Sequence, residues 1–266
     1  MATYTTNHAP SVLATHGWRT AQNSAAYLLP HLTPTMKILD IGCGPGSITV
    51  DLATYIPQGH ITGLEYSEDP LPDARDLAAS RGVENVTFIT GDIHELPFEN
   101  DTFDVVHVHQ VLQHIADPVQ AMREMHRVAK SGGIVAARES ASFNWFPENK
   151  GIEAWLELAT RVARAKGGNP HPGNMMHVWA TEAGFAREQV KRSAGAWCFS
   201  SPEEREYWGG GMARRMEGSG FVDQVVADEG EEVREVLKGI AKGWREWVEE
   251  EDGWFGVLHG EMLCFK

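Results

Sequence analysis

The chain has 266 residues, 42% of them hydrophobic, with 37 acidic against 23 basic side chains and a formal net charge of −14. Such a length holds one large α/β domain or a domain with a cap, and such a charge disfavours nucleic acid or an anionic membrane surface as partner, since both reward clustered Lys and Arg. No apolar run approaches the ~18 residues of a membrane span, residues 1–8 lack the charged and apolar regions of a signal peptide, and three scattered cysteines (Cys43, Cys198, Cys264) suit a reducing compartment, so a soluble cytoplasmic protein without disulfides or a zinc site is expected.

Residues 17–29 pattern as a helix that stops at Pro30. Residues 37–41 read as a short buried strand, followed by a glycine-rich turn and a helix from Ser47 with Ile48, Leu52 and Ile56 on one face. Strands are predicted at 60–64, 86–90, 103–109 and 134–138. Helices fill the intervals at 70–81, with Gly82 as its C′ residue, and from Asp117-Pro118, an N-cap followed by a first-turn proline, to before Ser131. Strand and helix signals that alternate in this way call for a parallel sheet covered on both faces. The second half differs, because eight of the nine tryptophans lie from Trp145 onward. There, helices are predicted at 151–165, 174–183, 202–217 and 231–250, and strands at 186–199 and 254–265. The expectation is an α/β, doubly wound, mostly parallel sheet of seven strands, with helices inserted after the fifth and sixth strands as a substrate cap. Residues 1–35 would form an N-terminal lid segment, 36–140 the cofactor-binding core, and 141–266 the rest of the sheet with its cap.

The turn reads Asp40-Ile41-Gly42-Cys43-Gly44-Pro45-Gly46. A dinucleotide fingerprint needs Gly-x-Gly-x-x-Gly. Its third glycine would fall at Ser47 or Thr49, so a nicotinamide enzyme is disfavoured. Asp-x-Gly-x-Gly-x-Gly is instead the spacing of S-adenosylmethionine sites. An adenosyl site also needs an acid at the end of strand two for the ribose hydroxyls, and Glu65 stands there, followed by Tyr66. It needs a polar group after strand three for the adenine edge, and Gly91-Asp92-Ile93 offers Asp92. Each residue has a structural alternative: Asp40 as a turn cap, Glu65 as an exposed strand end, Asp92 in an Asx turn. All three fall at the carboxyl ends of successive strands, the edge where open α/β sheets bind ligands.

With these residues on view, the chain resembles the class I S-adenosylmethionine-dependent methyltransferases, in particular the group that includes the ubiquinone/menaquinone-biosynthesis C-methyltransferases. The likeness rests on 39–46, Gly91-Asp92, 96–104 and 127–133, and covers about 36–140. It implies a Rossmann-like core and S-adenosylmethionine as cofactor, with S-adenosylhomocysteine as product. It further implies that Asp40, Gly42 and Gly44 line the methionine end, Glu65 the ribose, and Asp92 and Ile93 the adenine, with His109 or Gln110 bordering the sulfonium and Cys43, Gly46, Tyr66 and Gly91 also among the cofactor-binding residues. A helix before strand one often lies over the cofactor in this family, and Arg19 would then pair with the methionine carboxylate; an exposed helix arginine is the plainer alternative. Glu65 stands where Asp is commoner, Ser131 where Pro is usual, and the quinone enzymes' C-terminal half is not recognisable, so a quinone substrate does not carry over.

An oxygen or acidic-carbon acceptor needs a base, for which His109 and His114 are the candidates, with His171 and His177 behind them. Structural histidines are the alternative. A metal triad of His107, His109 and His114 is disfavoured, because no suitable carboxylate or cysteine accompanies it. The acceptor pocket is expected from the cap, with Trp145, Trp155, Met175, Met176, Trp179, Trp208 and Met212 as wall or core residues, suited to a flat or apolar small molecule. The Asn/Asp-Pro-Pro-aromatic motif of DNA amino methyltransferases is absent after strand four. Methyl transfer to a small molecule is the leading expectation. A cofactor-assisted dehydration or pericyclic step, or a non-catalytic cofactor-binding partner, remains open, as does the oligomeric state.

Overall fold

A computed structural model describes residues 18–266, in which one seven-stranded sheet runs in the order β3-β2-β1-β4-β5-β7-β6. The strands are β1 Lys37–Ile41, β2 His60–Glu65, β3 Val86–Thr90, β4 Phe103–His109, β5 Ala129–Phe146, β6 Val190–Phe199 and β7 Trp254–Phe265. The first five pair in parallel, and β7 enters antiparallel between β5 and β6. β1 lies at the centre, and its Ile38, Leu39 and Ile41 are buried. This explains the apolar side chains on either side of Asp40, because both faces of a covered parallel strand need them.

Helices α1 Ala21–Ser24 and α2 Ser47–Ala53 lie on one face of the sheet, with α3 Leu71–Ser80 beside α2. Helix α4 Pro118–Val128 covers the other face together with α6 Met176–Glu182. Asp117 caps α4 by accepting from Gln120 N, and Gly82 takes φ 65° after α3, as the cap residues predict. The cap comprises α5 Lys150–Ala165, α7 Pro202–Arg205 running through a π-helical turn Glu206–Gly210 into α8 Gly211–Glu217, α9 Ser219–Glu229 and α10 Val233–Val248. These helices pack with Trp197, Phe199 and Phe255 into a second core containing Trp208, Trp244 and Trp247.

Three expectations change. The helix expected over 17–29 reduces to α1 and a 3-10 turn Leu29–His31. Asn23 explains the break: its side chain accepts from Thr20 N and Ser24 Oγ and donates to Trp18 O, local bonds that compete with helix continuation. Strand five runs to Phe146 because β7 pairs with it as far as Trp254, so the boundary placed after residue 140 falls inside a strand. Helix α9, absent from the sequence reading, occupies a stretch of weak amphipathicity and no capping side chain. Residues 1–17 of the expected lid lie outside the described residues. Among the described residues, no helix is long and apolar enough to cross a membrane.

Candidate active site

The turn after β1 requires its glycines. Gly42, Gly44 and Gly46 all have positive φ, at 68°, 51° and 78°, a region costly for residues with a Cβ. A Cβ on Gly42 would collide with the Val111 side chain. The turn is tied to the next strand by Gly42 N and Cys43 N, which both donate to Leu64 O (2.7 and 3.2 Å). Glu65, almost fully buried, completes the tie. Its Oε2 accepts from Gly44 N at 2.9 Å and its Oε1 from Tyr66 N at 2.8 Å.

Asp40 is buried beneath the turn. Its Oδ2 accepts from Thr49 Oγ1 (2.6 Å) and its Oδ1 faces His107 Nδ1 (2.7 Å), so it links β1, α2 and β4. The structural role and the wall position coincide, since Asp40 also borders the cavity.

That cavity, of about 280 Å³, runs along the carboxyl edge of the sheet and under the cap. At one end stand Arg19, Asp40, Gly42, Cys43, Gly44, Glu65, Tyr66, Gly91 and Ile93; His109 and Gln110 stand at its middle, followed by Gln113 and His114. Gly46 and Asp92 do not line it. Gly46 is pressed against Ala74 and Phe88, so its place is in the packing of α3. The Asp92 carboxylate accepts from His94 N at 2.9 Å and lies 2.7 Å from His94 Nδ1, the Asx-turn alternative. Burial would raise its pKa, but these His94 contacts lower it on balance. Cys43 is buried, and its desolvation keeps the thiol protonated, well above the usual range.

At the far end the wall is aromatic and aliphatic: Phe143, Trp155, Leu158, Val162, Trp208, Met212, Met216, Phe221 and Val225. Of the expected wall residues, Trp155, Trp208 and Met212 are here. Met176 and Trp179 instead pack in the core between the sheet and α4, because α6 turns that face inward, and Met175 is exposed. Trp145 and His171 border a shallow groove on the outer side of α5, and His177 is not on the cavity wall.

Between the two ends sits a buried polar cluster. Gln110 follows β4 in the left-handed region (φ 55°), a strained conformation for a side chain with a Cβ. Its Oε1 accepts from Arg19 Nη2 at 2.6 Å, and its Nε2 lies 3.1 Å from His259 Nε2. The next two amides, of Val111 and Leu112, both donate to Glu139 Oε1 at 2.8 Å. Glu139 has no solvent exposure. Burial pushes its pKa up to about 7 against those backbone bonds and the Arg19 charge. Among the described residues, neither ring nitrogen of His109 has a hydrogen-bond partner. Burial, then the guanidiniums of Arg19 and Arg138, hold it neutral, well below the ordinary histidine range. His114 is pushed down to about 3 by burial and then by Arg19 and Arg215. Both rings are thus poor proton stores and good neutral hydrogen-bonding groups. His107 is turned to Asp40, away from any shared ligand, and among the described residues no cluster of three His, Cys, Asp or Glu side chains is arranged around a metal position.

Sequence reading missed Gln113, Ser140, Phe143, Arg215 and Phe221 on the wall and Glu139 behind it. One signal was present: Arg138-Glu139-Ser140 directly follows the apolar run Ile134-Val135-Ala136-Ala137, and charges inside a covered strand mark a site.

The family described as a methyltransferase domain matches residues 32–189. An uncharacterized methyltransferase of Schizosaccharomyces pombe is 33% identical over 272 residues, spanning 99% of this chain and 96% of its own length. A demethylmenaquinone methyltransferase of Staphylococcus aureus is 40% identical over 106 residues, covering 40% of this chain and 43% of its own. Among solved structures, the cyclase SpnF aligns over 94% of this chain and 80% of its own, at 20% identity and a TM-score of 0.53, a likeness of fold.

Proposed function

The chain belongs to the methyltransferase-domain family and is an S-adenosylmethionine-dependent methyltransferase, and from that premise we propose that it methylates a small molecule held between the glycine turn and the helical cap. The observation that carries this reading is the single cavity that joins Gly42, Gly44 and Glu65 to Trp155, Trp208 and Met212.

The wall fits an adenosyl group. The turn Gly42-Cys43-Gly44 stands on the cavity wall, and a buried carboxylate stands at the end of β2. When bound, S-adenosylmethionine supplies an activated methyl group on a sulfonium. The protein supplies position and the exclusion of water. Glu65 accepts one bond from each of two backbone amides and keeps lone pairs for a ribose diol. Gly91 and Ile93 bound the adenine, with Tyr66 at its exposed side. Asp92 acts there by shaping the turn. Arg19 takes the methionine carboxylate as a charge-assisted pair. Gln110 and His109 border the reacting centre. His109 and His114 touch the acceptor as neutral hydrogen-bonding groups. In this reading residues 36–140 hold the donor and 141–266 the acceptor.

A nucleic-acid or membrane partner is disfavoured by the charge of −14, and the free cysteines suit a reducing cytoplasm. The SpnF likeness is one of fold and does not decide the reaction. Calorimetric titration with S-adenosylmethionine and S-adenosylhomocysteine, followed by incubation of methyl-labelled cofactor with small acceptors, tests the proposal. Label in product matched by S-adenosylhomocysteine formation is expected. Turnover with the cofactor intact overturns methylation in favour of a dehydration or pericyclic step.

A further inference from the structure

The charges on the cavity wall are distributed unevenly. The sequence carries 37 Asp and Glu residues, yet the carboxylates lining the cavity among the described residues are Asp40 and Glu65. Both stand at the donor end and both are already hydrogen-bonded there. The acceptor end has no carboxylate on its described wall, and residues 1–17 contain no Asp, Glu, Lys or Arg at all. What the acceptor end does have is cationic. Arg215 of α8 is on the wall, and it and Arg19 both act on the neighbouring His114.

A neutral polar chain crosses the same wall. Ser140 Oγ donates to Gln113 Oε1 at 2.9 Å, and the Gln113 amide lies 3.1 Å from His114 Nε2. A Gln amide nitrogen only donates, so His114 Nε2 accepts and the ring proton sits on Nδ1. Around this chain the surface is apolar, formed by Phe143, Trp155 and Met212.

An acceptor bearing an ammonium would be buried there with no carboxylate to pair with and a guanidinium close by. Burying a charge without a partner is strongly unfavourable. An acidic hydroxyl on an apolar ring meets the opposite conditions: the ring fills the aromatic wall, and its anion gains from the guanidiniums and from hydrogen-bond donors. We propose that the acceptor is an apolar ring compound carrying an acidic hydroxyl, a phenol or an enol, bound as its oxyanion beside Arg215 and the Gln113–His114 pair. This rests on the methyltransferase reading and specifies its substrate class.

The proton leaves the hydroxyl to solvent as the acceptor binds, so neither buried histidine has to store it. The oxyanion's electron pair forms the new O–CH3 bond while the S–CH3 pair returns to sulfur, leaving S-adenosylhomocysteine and a neutral ether. Among the described residues, the charged or titratable groups on the wall nearest the oxyanion are Arg215 and His114, with Arg19 and His109 toward the donor end. Glu139 lies behind the Val111–Leu112 amides that it holds.

The test uses the full chain saturated with S-adenosylhomocysteine and two aromatic probes of one size, a nitronaphthol and a naphthylmethylammonium. Chamber tryptophan fluorescence reads binding, and the nitronaphthol's visible absorbance reads its ionisation. The expected result is about tenfold tighter binding of the nitronaphtholate than of the neutral form, seen as an ionisation midpoint about one pH unit lower when bound, with the ammonium at least about tenfold weaker than the anion. In Arg215→Met the midpoint shift shrinks while S-adenosylhomocysteine affinity is retained. An unchanged or raised midpoint, an ammonium that binds as well as the anion, or no nitronaphthol binding by protein that does bind S-adenosylhomocysteine overturns this substrate class and leaves the methyltransferase reading standing. Failure to bind S-adenosylhomocysteine overturns that reading and this inference with it.

Discussion

The two ends of the cavity are built by different means. The end we propose for the donor is backbone: a turn with three left-handed glycines within five residues, tied by Glu65 to the next strand. The end we propose for the acceptor is side chains brought from remote parts of the chain, such as Phe143 on β5, Trp155 on α5 and Arg215 on α8. They differ in charge as well: among the described residues both wall carboxylates, Asp40 and Glu65, stand at the first end, and Arg215 stands at the second. The contrast shows that a site for a common cofactor can be built within a short stretch, since it must meet the same ligand each time. The acceptor site is free to vary with the packing of inserted helices.

The largest effect is expected where the donor end is least able to yield. Gly42→Val combines a left-handed backbone with a collision against Val111. Its S-adenosylmethionine affinity should fall by more than about a hundredfold, or ~3 kcal/mol, in calorimetry. Normal affinity would break the assignment of this turn. Glu65→Ala leaves the Gly44 and Tyr66 amides without their carboxylate. A loss of ~2–3 kcal/mol in cofactor binding is expected, with a lower melting temperature.

Trp155→Phe probes the other end. KM for the acceptor should rise several-fold with cofactor affinity unchanged, since Trp155 stands with the aromatic wall. An equal loss of cofactor binding would erase the division between the ends. Arg19→Ala should weaken cofactor binding about tenfold; unchanged binding removes Arg19 from the donor site.

The smallest effect is in stability against pH. His114 has a folded pKa of about 3, below its unfolded value near 6.5. Between these values the unfolded state holds more protons, so the stability this residue contributes is present above about pH 6.5 and is lost as pH falls toward 3. Glu139 runs the other way. Its folded pKa of about 7 lies above its unfolded value near 4.3, so its contribution is present below that value and lost as pH rises through 7. Denaturant melts across pH should therefore show His114→Gln less acid-labile than the parent, and Glu139→Gln less sensitive to rising pH near 7. Parallel pH curves for variant and parent would remove these groups from the buried cluster.

The strands that were legible are those whose pattern is local. β1, β3, β4 and β7 begin and end at the expected residues, because apolar runs bounded by Gly, Pro and Asp declare both the element and its limits. The helix expected at 17–29 failed on the side-chain bonds of Asn23, which helical periodicity does not register. Strand five was read five residues long because its extension to Phe146 depends on β7, more than a hundred residues later. At the site, the cavity-wall positions of Gly42, Gly44 and Glu65 were legible from their place at strand ends. Asp92 was not, because whether an Asp turns outward to a ligand or back to the amide two residues on depends on the loop around it.

By itself the sequence determined the fold class, the cofactor family and the position of the glycine turn, because each follows from short-range chemistry: left-handed backbone, buried parallel strands, and acids at strand ends. Only the tertiary structure decided which tryptophans face the cavity and which fill the core, that Glu139 stands behind the turn after β4, and that, among the described residues, no carboxylate lines the acceptor end. Those facts depend on the rotation of packed helices and on pairings distant in the chain. Neither leaves a period or a spacing in the sequence from which it can be read.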